Sequence, residues 1–347
     1  MNRRLLFLLF GLPSCLLAAV SAPDLLFQSS EIFDITLTAP FRLIDDERDK
    51  EKEYEGSLSY IDAVGEQVRL DVGLQVRGNW RLRKDNCTYS QLWVDFKRGQ
   101  AAGTIFENQN RLKLVVQCRR PDRYAELLVK EQQAYQIFAE LSEYNFDTRL
   151  VNVSYVDSER EDSSRTQLAF FIEHQNRLQA RFGMEEVNID NITIGQLNAD
   201  QASLVNLFMF LLGNTDYSII QGLEGEECCH NAKLLLSETG DYFAIPYDFD
   251  ASGYVDAPYA AEPAPVMDIR SNRQRRYRGY CRHNDALPST RRIMLEARAN
   301  IIAIVGDGSR VSSRTANSSS KYVQELFEIL ADQRRFERAI IDDCRGQ

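Results

Sequence analysis

Several signatures of common protein classes are missing from this sequence. It has only three histidines (His174, His230 and His283), none of which accompanies a candidate nucleophile, and it has no G-x-S-x-G segment, so a hydrolase triad is excluded. Its formal net charge of −10 argues against a general nucleic-acid binder. Beyond the N-terminal segment the longest apolar runs have the length of core helices, so no integral membrane span is expected in the mature chain.

What is present is ordinary globular material. The chain has 347 residues, of which 44% are apolar and 27% are charged. This length supports one large domain or two parts with a real core.

The N-terminus has the pattern of a signal peptide. Two arginines precede the apolar residues 5–17, and small residues predict cleavage near Ala22, so residues 1–22 are expected to be removed from an exported, periplasmic or secreted protein. Gly11 and Pro13 interrupt the apolar run, which argues against a permanent span. A lipid anchor at Cys15 is the less favoured alternative.

Six cysteines remain after the expected cleavage, and an even number in an exported chain predicts disulfides. Six cysteines allow 15 connectivities, which the sequence does not resolve. The adjacent Cys228 and Cys229 are expected to take two different partners. A zinc site with His230 is the alternative, but it lacks the usual spaced cysteine pair.

The first half of the chain has strand patterns and one helix. Alternation of apolar and polar residues predicts antiparallel strands over residues 33–37, 68–76, 92–97, 111–117 and 166–173. A helix is predicted over residues 122–144, with Glu131 inside its apolar stripe.

A carboxylate within an apolar stripe needs a partner, because an unpaired buried charge is costly. Lys113, on the preceding strand, is the candidate. A strand lysine bridged to a helix glutamate is the device by which kinases hold ATP phosphates. The plain alternative is a lysine that faces water and a glutamate at the edge of the stripe, and Lys97 also lies on a suitable strand.

The second half is predicted to be mainly helical. One helix begins at the N-cap Asn198 and stops at Gly213, and two more are expected over residues 289–305 and 319–343. Before these last two lies a cluster of six arginines, which binds phosphate or pairs with the chain's own acids: Arg270, Arg273, Arg275, Arg276, Arg278 and Arg282. We therefore expect a β-rich part over residues 23–180, a mainly helical part over residues 181–347, and a functional cleft between them.

Residues 214–256 contain four hard oxygen ligands. A hairpin is predicted there, with a turn over residues 238–241 and with Asn231 opposite Asp248, to within one residue. Asp250 lies at the same open end, and Asp216 follows the helix that stops at Gly213. Oxygen ligands from two strand ends suit Mg²⁺ or Mn²⁺.

The order of these residues is that of the catalytic elements in protein kinases. Asp216 would orient the attacking hydroxyl or accept its proton, Asn231 and Asp250 would hold the metal on the nucleotide phosphates, and Asp248 would be a further ligand. Two alternatives stay open: a D-x-D glycosyltransferase that uses Asp248 and Asp250, and a structural cation site without catalysis.

The chain resembles the spore coat protein H (CotH) kinase family, and is most similar to an exported bacterial branch of it. The resemblance covers roughly residues 65–260. Its motifs are Val76-Arg77-Gly78-Asn79, Asn110-Arg111-Leu112-Lys113-Leu114, Asn214-Thr215-Asp216, Asn231, and Ile245-Pro246-Tyr247-Asp248-Phe249-Asp250.

The resemblance implies an α+β, two-lobed, atypical protein-kinase-like fold. It has a β-rich N-lobe with one helix and a mainly helical C-lobe with a small metal-site hairpin. It also implies phosphoryl transfer from ATP to a protein or cell-envelope acceptor, with Asp216 catalytic, Asn231 and Asp250 on the metal, and Lys113 with Glu131 anchoring the phosphates.

The chain departs from ordinary kinases because it has no G-x-G-x-x-G loop and has fourteen residues between Asp216 and Asn231. A catalytically silent binding module of the cell envelope is therefore the alternative function.

Overall fold

The computed structural model describes residues 24–97, 99–160 and 164–346. Ten strands lie in this part of the chain: β1 (Phe33–Ala39), β2 (Glu53–Ile61), β3 (Gln67–Arg77), β4 (Gln91–Phe96), β5 (Arg111–Val116), β6 (Thr148–Asp157), β7 (Ser164–Ile172), β8 (Glu185–Glu186), β9 (Ala232–Leu236) and β10 (Tyr242–Pro246). The α-helices in the same ranges are α1 (Phe41–Glu47), α2 (Arg123–Ala139), α3 (Gln175–Phe182), α4 (Ala199–Leu212), α5 (Leu287–Glu296), α6 (Arg298–Gly306), α7 (Ser313–Ala331) and α8 (Gln333–Phe336).

The first seven strands form a closed barrel in the order β1-β2-β3-β4-β5-β7-β6. Neighbours are antiparallel except at the seam, where β1 runs parallel to β6. Alternate residues of each strand fill the interior, as Leu92 and Val94 of β4 do beside Leu112 and Leu114 of β5. The residues between them face outward, so that this polar outer face presents side chains to the rest of the molecule.

The predicted two-lobed, protein-kinase-like fold with a mainly helical C-lobe is wrong. The strands of the first half close into a barrel, because β6 returns to pair with β1, which also pairs with β2. The prediction of a single helix in this half is also wrong, because α1 lies between β1 and β2 and α3 follows β7. The predicted boundary near residue 180 stays a prediction.

Helix α2 joins the barrel to a second core. Tyr135 packs against Phe170 of β7, and Phe138 packs against Phe208 of α4. Helix α4 is buried along almost its whole length, as its run of apolar residues predicts. Its N-cap Asn198 accepts a hydrogen bond from the Gln201 amide at 3.0 Å, and it ends at Gly213 in a left-handed conformation, which confirms both predicted ends.

The hairpin of β9 and β10 follows α4. Tyr242 pairs with Leu236 and Pro246 pairs with Ala232, so the register is one residue away from the predicted pairing of Asn231 with Asp248. The reason is the turn, in which Ser237 bonds to Asp241 instead of joining the ladder. The short β8 pairs with the other edge of β9.

Three disulfides lie in the described part of the chain: Cys87–Cys118, Cys228–Cys229 and Cys281–Cys344. This confirms the prediction of disulfides and is compatible with an exported protein. The expectation that Cys228 and Cys229 have different partners is wrong, because the other four cysteines are brought together in pairs and leave these two to each other.

Among the described residues, no helix has both the length and the apolar character needed to cross a membrane. The predicted signal peptide, residues 1–22, and the alternative anchor at Cys15 lie outside the described residues.

Candidate functional site

A cleft of about 620 Å³ lies between the outer face of the barrel and the end of the β9–β10 hairpin. The barrel contributes Arg77, Trp93 and Lys113 to its lining. The hairpin side contributes the four residues predicted as oxygen ligands: Asp216, Asn231, Asp248 and Asp250. The structure therefore brings those four side chains and Lys113 to one cavity.

Asp216 is held just beyond the end of α4. Its amide donates to the side-chain oxygen of Asn214 at 2.9 Å, and Arg278 donates to the carbonyls of Thr215 and Tyr217 on either side of it. These bonds fix the backbone while the carboxyl group stays half exposed, with 54% of the side chain accessible. Asp216 is thus presented to the cleft on a rigid support.

Two neighbours from the start of β9 contact the Asp216 carboxylate. His230 Nε2 lies 2.8 Å from Oδ1, and Asn231 Nδ2 donates to Oδ2 at 3.2 Å and to the backbone carbonyl at 2.6 Å. Burial lowers the pKa of His230, but the hydrogen bond and charge of Asp216 outweigh burial and leave that pKa raised. His230 is a site residue that the sequence analysis had set aside; its position immediately before Asn231 is the signal that could have found it.

Asp248 and Asp250 flank a buried anchor. Phe249 is fully buried against Tyr135 and Phe208, so the carboxylates on either side are placed by the core. The Asp248 amide donates to Tyr135 Oη at 3.0 Å. Asp248 remains 41% exposed to the cleft, whereas only 13% of the Asp250 side chain is accessible.

Arg81 connects these acids to the barrel side. Its Nη2 lies 2.8 Å from both carboxyl oxygens of Glu131, its Nε lies 2.6 Å from Asp250 Oδ2, and the same Nη2 lies 3.4 Å from Asp248 Oδ1. Burial alone would lower the pKa of Arg81, but Asp250 and Glu131 hold it well above its usual value. Because Arg81 sits in the irregular loop after β3, no periodicity in the sequence distinguishes it from the arginines around it.

Glu131 therefore has a partner, as a carboxylate inside an apolar stripe requires, but the partner is Arg81 and not the predicted Lys113. Only 2% of the Glu131 side chain is exposed. Burial raises the pKa of Glu131 to about 8 and that of Asp250 to about 6, against the opposing effect of Arg81 in both cases.

Lys113 has aromatic neighbours instead. Its Nζ lies 4.3 Å from the centre of the Tyr247 ring and 5.5 Å from that of Trp93, and within the described ranges it forms no salt bridge. Burial lowers the pKa of Lys113 to about 7, and the nearby Arg77 and Lys233 act in the same direction. The other candidate, Lys97, pairs with Glu53 at 2.9 Å on an exposed part of the barrel.

The predicted oxygen ligands suit a hard cation chemically but do not form a closed cage. Within residues 24–97, 99–160 and 164–346, no three His, Cys, Asp or Glu side chains are grouped so that they could hold a metal ion. Mg²⁺ commonly binds through one or two carboxylates with substrate phosphates and water completing its shell. The side chains present fit that kind of site.

Three of the six arginines in the cluster are paired with the chain's own acids. Arg273 lies 2.9 Å from Asp256, Arg275 lies 3.2 Å from Glu325, and Arg276 lies 3.0 Å from Asp343. These three arginines are therefore paired within the chain.

Comparison with known proteins gives no match: no family model matches this chain, and no curated protein or solved structure matches it significantly. The resemblance to the spore coat protein H kinase family stays a prediction based on the quoted motifs.

Proposed function

We propose that the cleft binds a nucleoside triphosphate together with Mg²⁺ or Mn²⁺ and transfers the terminal phosphoryl group to a hydroxyl of a protein or cell-envelope acceptor. ATP is the donor that the family resemblance implies. The proposal places the reaction outside the cytoplasm, in the compartment expected from the N-terminal segment.

The observation that supports this proposal best is the unpaired ammonium group of Lys113 in a cleft that also holds oxygen ligands. Lys113 is half-buried and has no salt-bridge partner among the described residues, and removal of its ammonium group from water lowers its pKa to about 7. A phosphate oxygen would supply the missing negative charge. A ligand that carries both phosphates and a divalent cation matches Lys113 on the barrel side and the oxygen ligands on the hairpin side.

The roles of the residues follow from their exposure. Asp216 is the most accessible of the three carboxylates, so it takes the proton of the acceptor hydroxyl as that oxygen bonds to the terminal phosphorus and the bond to the nucleoside diphosphate breaks. Asn231, Asp248 and Asp250 would hold the cation, which neutralises phosphate charge when it is bound. His230 keeps the Asp216 carboxylate oriented.

A catalytically silent binding module is the second candidate. The contact from Arg81 to Asp250 favours it, because this contact supplies a positive charge to the acidic cluster from within the protein. A D-x-D glycosyltransferase ranks third.

The test is thermal and urea unfolding of the oxidised protein with Mg²⁺ or Mn²⁺ and ATP, with UDP-sugars as a second ligand set. At about 100 times its dissociation constant, metal–ATP should add roughly 2.7 kcal/mol to the free energy of unfolding of the wild type. Asp250→Asn should lose most of this gain, because the amide keeps the size of the side chain but removes the negative charge of a cation ligand. Asp241→Asn should keep it, since Asp241 is exposed in the hairpin turn away from the cleft.

Stabilisation by metal–ATP that is lost only in Asp250→Asn supports the proposal and justifies a search for the acceptor. No stabilisation by any nucleotide contradicts it and favours the binding module. Stabilisation by UDP-sugar alone favours the glycosyltransferase.

A further inference from the structure

Arg81 occupies an unusual position at the bottom of the cleft, where one guanidinium group serves three carboxylates. We propose that Arg81 is a resident counter-ion of the metal-binding acids, and that a divalent cation must displace it from Asp250 in order to bind. This inference rests on the cation site of the proposed function and concerns how that site is loaded.

Arg81 contacts Glu131 and Asp250 through different nitrogen atoms. Nη2 holds both oxygens of Glu131 at 2.8 Å, while Nε holds Asp250 at 2.6 Å. The contact with Glu131 is the more buried of the two, since 2% of Glu131 and 13% of Asp250 are exposed. The Asp250 contact can therefore open toward the cleft while the Glu131 contact persists.

The charges favour such an exchange. Glu131, Asp248 and Asp250 all contact this single guanidinium, so three carboxylates share one directly bonded positive group. A divalent cation at Asp248 and Asp250 would supply the missing positive charge.

The loop that carries Arg81 is held in place, so loss of the contact with Asp250 involves only the Arg81 side chain. Arg48 donates to the carbonyls of Leu82, Cys87 and Thr88, and the disulfide Cys87–Cys118 ties the same loop to the end of β5. The indole nitrogen of Trp80 donates to the Tyr259 carbonyl on the other side. Because the backbone is held on both sides of Arg81, its contact with Asp250 is broken by rotation of the side chain.

The experiment measures Mn²⁺ binding in the absence of nucleotide, by electron paramagnetic resonance of the free ion, on the full chain. Arg81→Gln should bind Mn²⁺ at least about tenfold more tightly than the wild type, because the competing internal cation is gone. Arg83→Gln is the matched control; Arg83 is on the same loop, lines the same cleft and lies over the Trp80 ring. It should bind Mn²⁺ as the wild type does.

A second variant guards against unfolding caused by an unpaired Glu131. Arg81→Gln combined with Glu131→Gln removes both buried charges and should also bind Mn²⁺ more tightly than the wild type. Unchanged or weaker Mn²⁺ binding in both variants would overturn the inference.

A parallel titration with ATP separates the two proposals. Tighter Mn²⁺ binding in the variants, with no ATP binding to any form, supports the counter-ion role and contradicts phosphoryl transfer. ATP binding to the wild type without tighter Mn²⁺ binding in the variants supports the proposed function and contradicts the counter-ion role.

Discussion

The charge state of Lys113 is set by its surroundings and not by the solvent alone. Its pKa of about 7 lies far below the usual 10.5, because burial and two neighbouring cations disfavour the ammonium form. Both forms of the side chain are therefore populated near neutral pH. An anionic ligand would restore the charged form, so its binding should be accompanied by proton uptake.

Replacing Lys113 by methionine should stabilise the protein most at low pH. Below about pH 7 the lysine is protonated in both the folded and the unfolded states, and the folded state bears the whole unfavourable charge. Between about 7 and 10.5 the folded state releases its proton first, so the penalty shrinks. Urea unfolding at pH 6 and pH 9 should show a larger gain for Lys113→Met at pH 6.

The control for this pH effect is Lys97→Met, at an exposed lysine paired with Glu53. It should show no gain at pH 6. An equal gain for Lys113→Met at both pH values would mean that Lys113 titrates normally in the folded protein.

The grouping of the four predicted oxygen ligands in one cleft could be predicted because they lie in one stretch of sequence. Asp216, Asn231, Asp248 and Asp250 follow a helix end and the two ends of one hairpin, and local elements are enough to bring them together. Arg81 could not be predicted in the same way, because it reaches Glu131 and Asp250 from a loop whose path depends on the whole barrel. The pairing of Lys113 with Glu131 was wrong for this reason.

Among the helices, α3 and α4 end in the same way. Gly183 and Gly213 both follow the last turn in a left-handed conformation, each with φ of 61°. The surroundings differ: a Cβ at Gly183 would meet nothing within 4 Å, whereas a Cβ at Gly213 would lie 2.1 Å from Tyr322 Oη. The two positions therefore separate backbone strain from crowding.

Gly183→Ala should lower the free energy of unfolding by about 1–2 kcal/mol, the cost of a left-handed alanine. Gly213→Ala should lower it by at least about 1 kcal/mol more, because Tyr322 must also move out of the core. Urea unfolding of both variants gives the difference directly. Equal losses would show that Tyr322 moves aside without penalty.

Strand prediction succeeded for five of the seven barrel strands and missed β2 and β6. β3 alternates clearly because its inner residues fill the barrel. β2 was missed, since Gly56 and Ser57 interrupt its apolar pattern. Gly56 is needed there because a Cβ would lie 2.7 Å from the Thr38 carbonyl of β1. Close packing between strands thus removed the pattern by which the strand could be recognised.

At the scale of the whole molecule, the closure of the barrel could not be predicted from local patterns. It depends on β1 pairing in parallel with β6, as Phe33 does with Val151, and the residues of neither strand specify the other. The motifs of the 214–256 region suggested a kinase-like arrangement of the entire chain, but they describe only the hairpin and its surroundings. A local resemblance was extended to a global fold.

The disulfides act on the molecule very unequally. Cys281–Cys344 encloses a segment with a sequence separation of 63 and fastens the last described residues to the helical core. Cys228–Cys229 joins adjacent residues and closes no such segment. The first should restrict the unfolded chain strongly, whereas the second should hardly restrict it.

Cys281→Ser with Cys344→Ser should therefore lower the free energy of unfolding by about 4 kcal/mol, the loop-closure value for this separation. Cys228→Ser with Cys229→Ser is the control and should lower it by less than about 1 kcal/mol through this mechanism. Urea unfolding under non-reducing conditions compares the two. Similar losses from both pairs would contradict a loop-closure origin.

The parallel seam between β1 and β6 also determines when the barrel can close as the chain is made. β1 is made first among the strands but waits for roughly 120 further residues before its partner exists, about 6–24 s at ordinary rates of translation. During that interval its open backbone edge is available to any other extended chain. The topology thus leaves one edge of β1 without its native partner until β6 has been made.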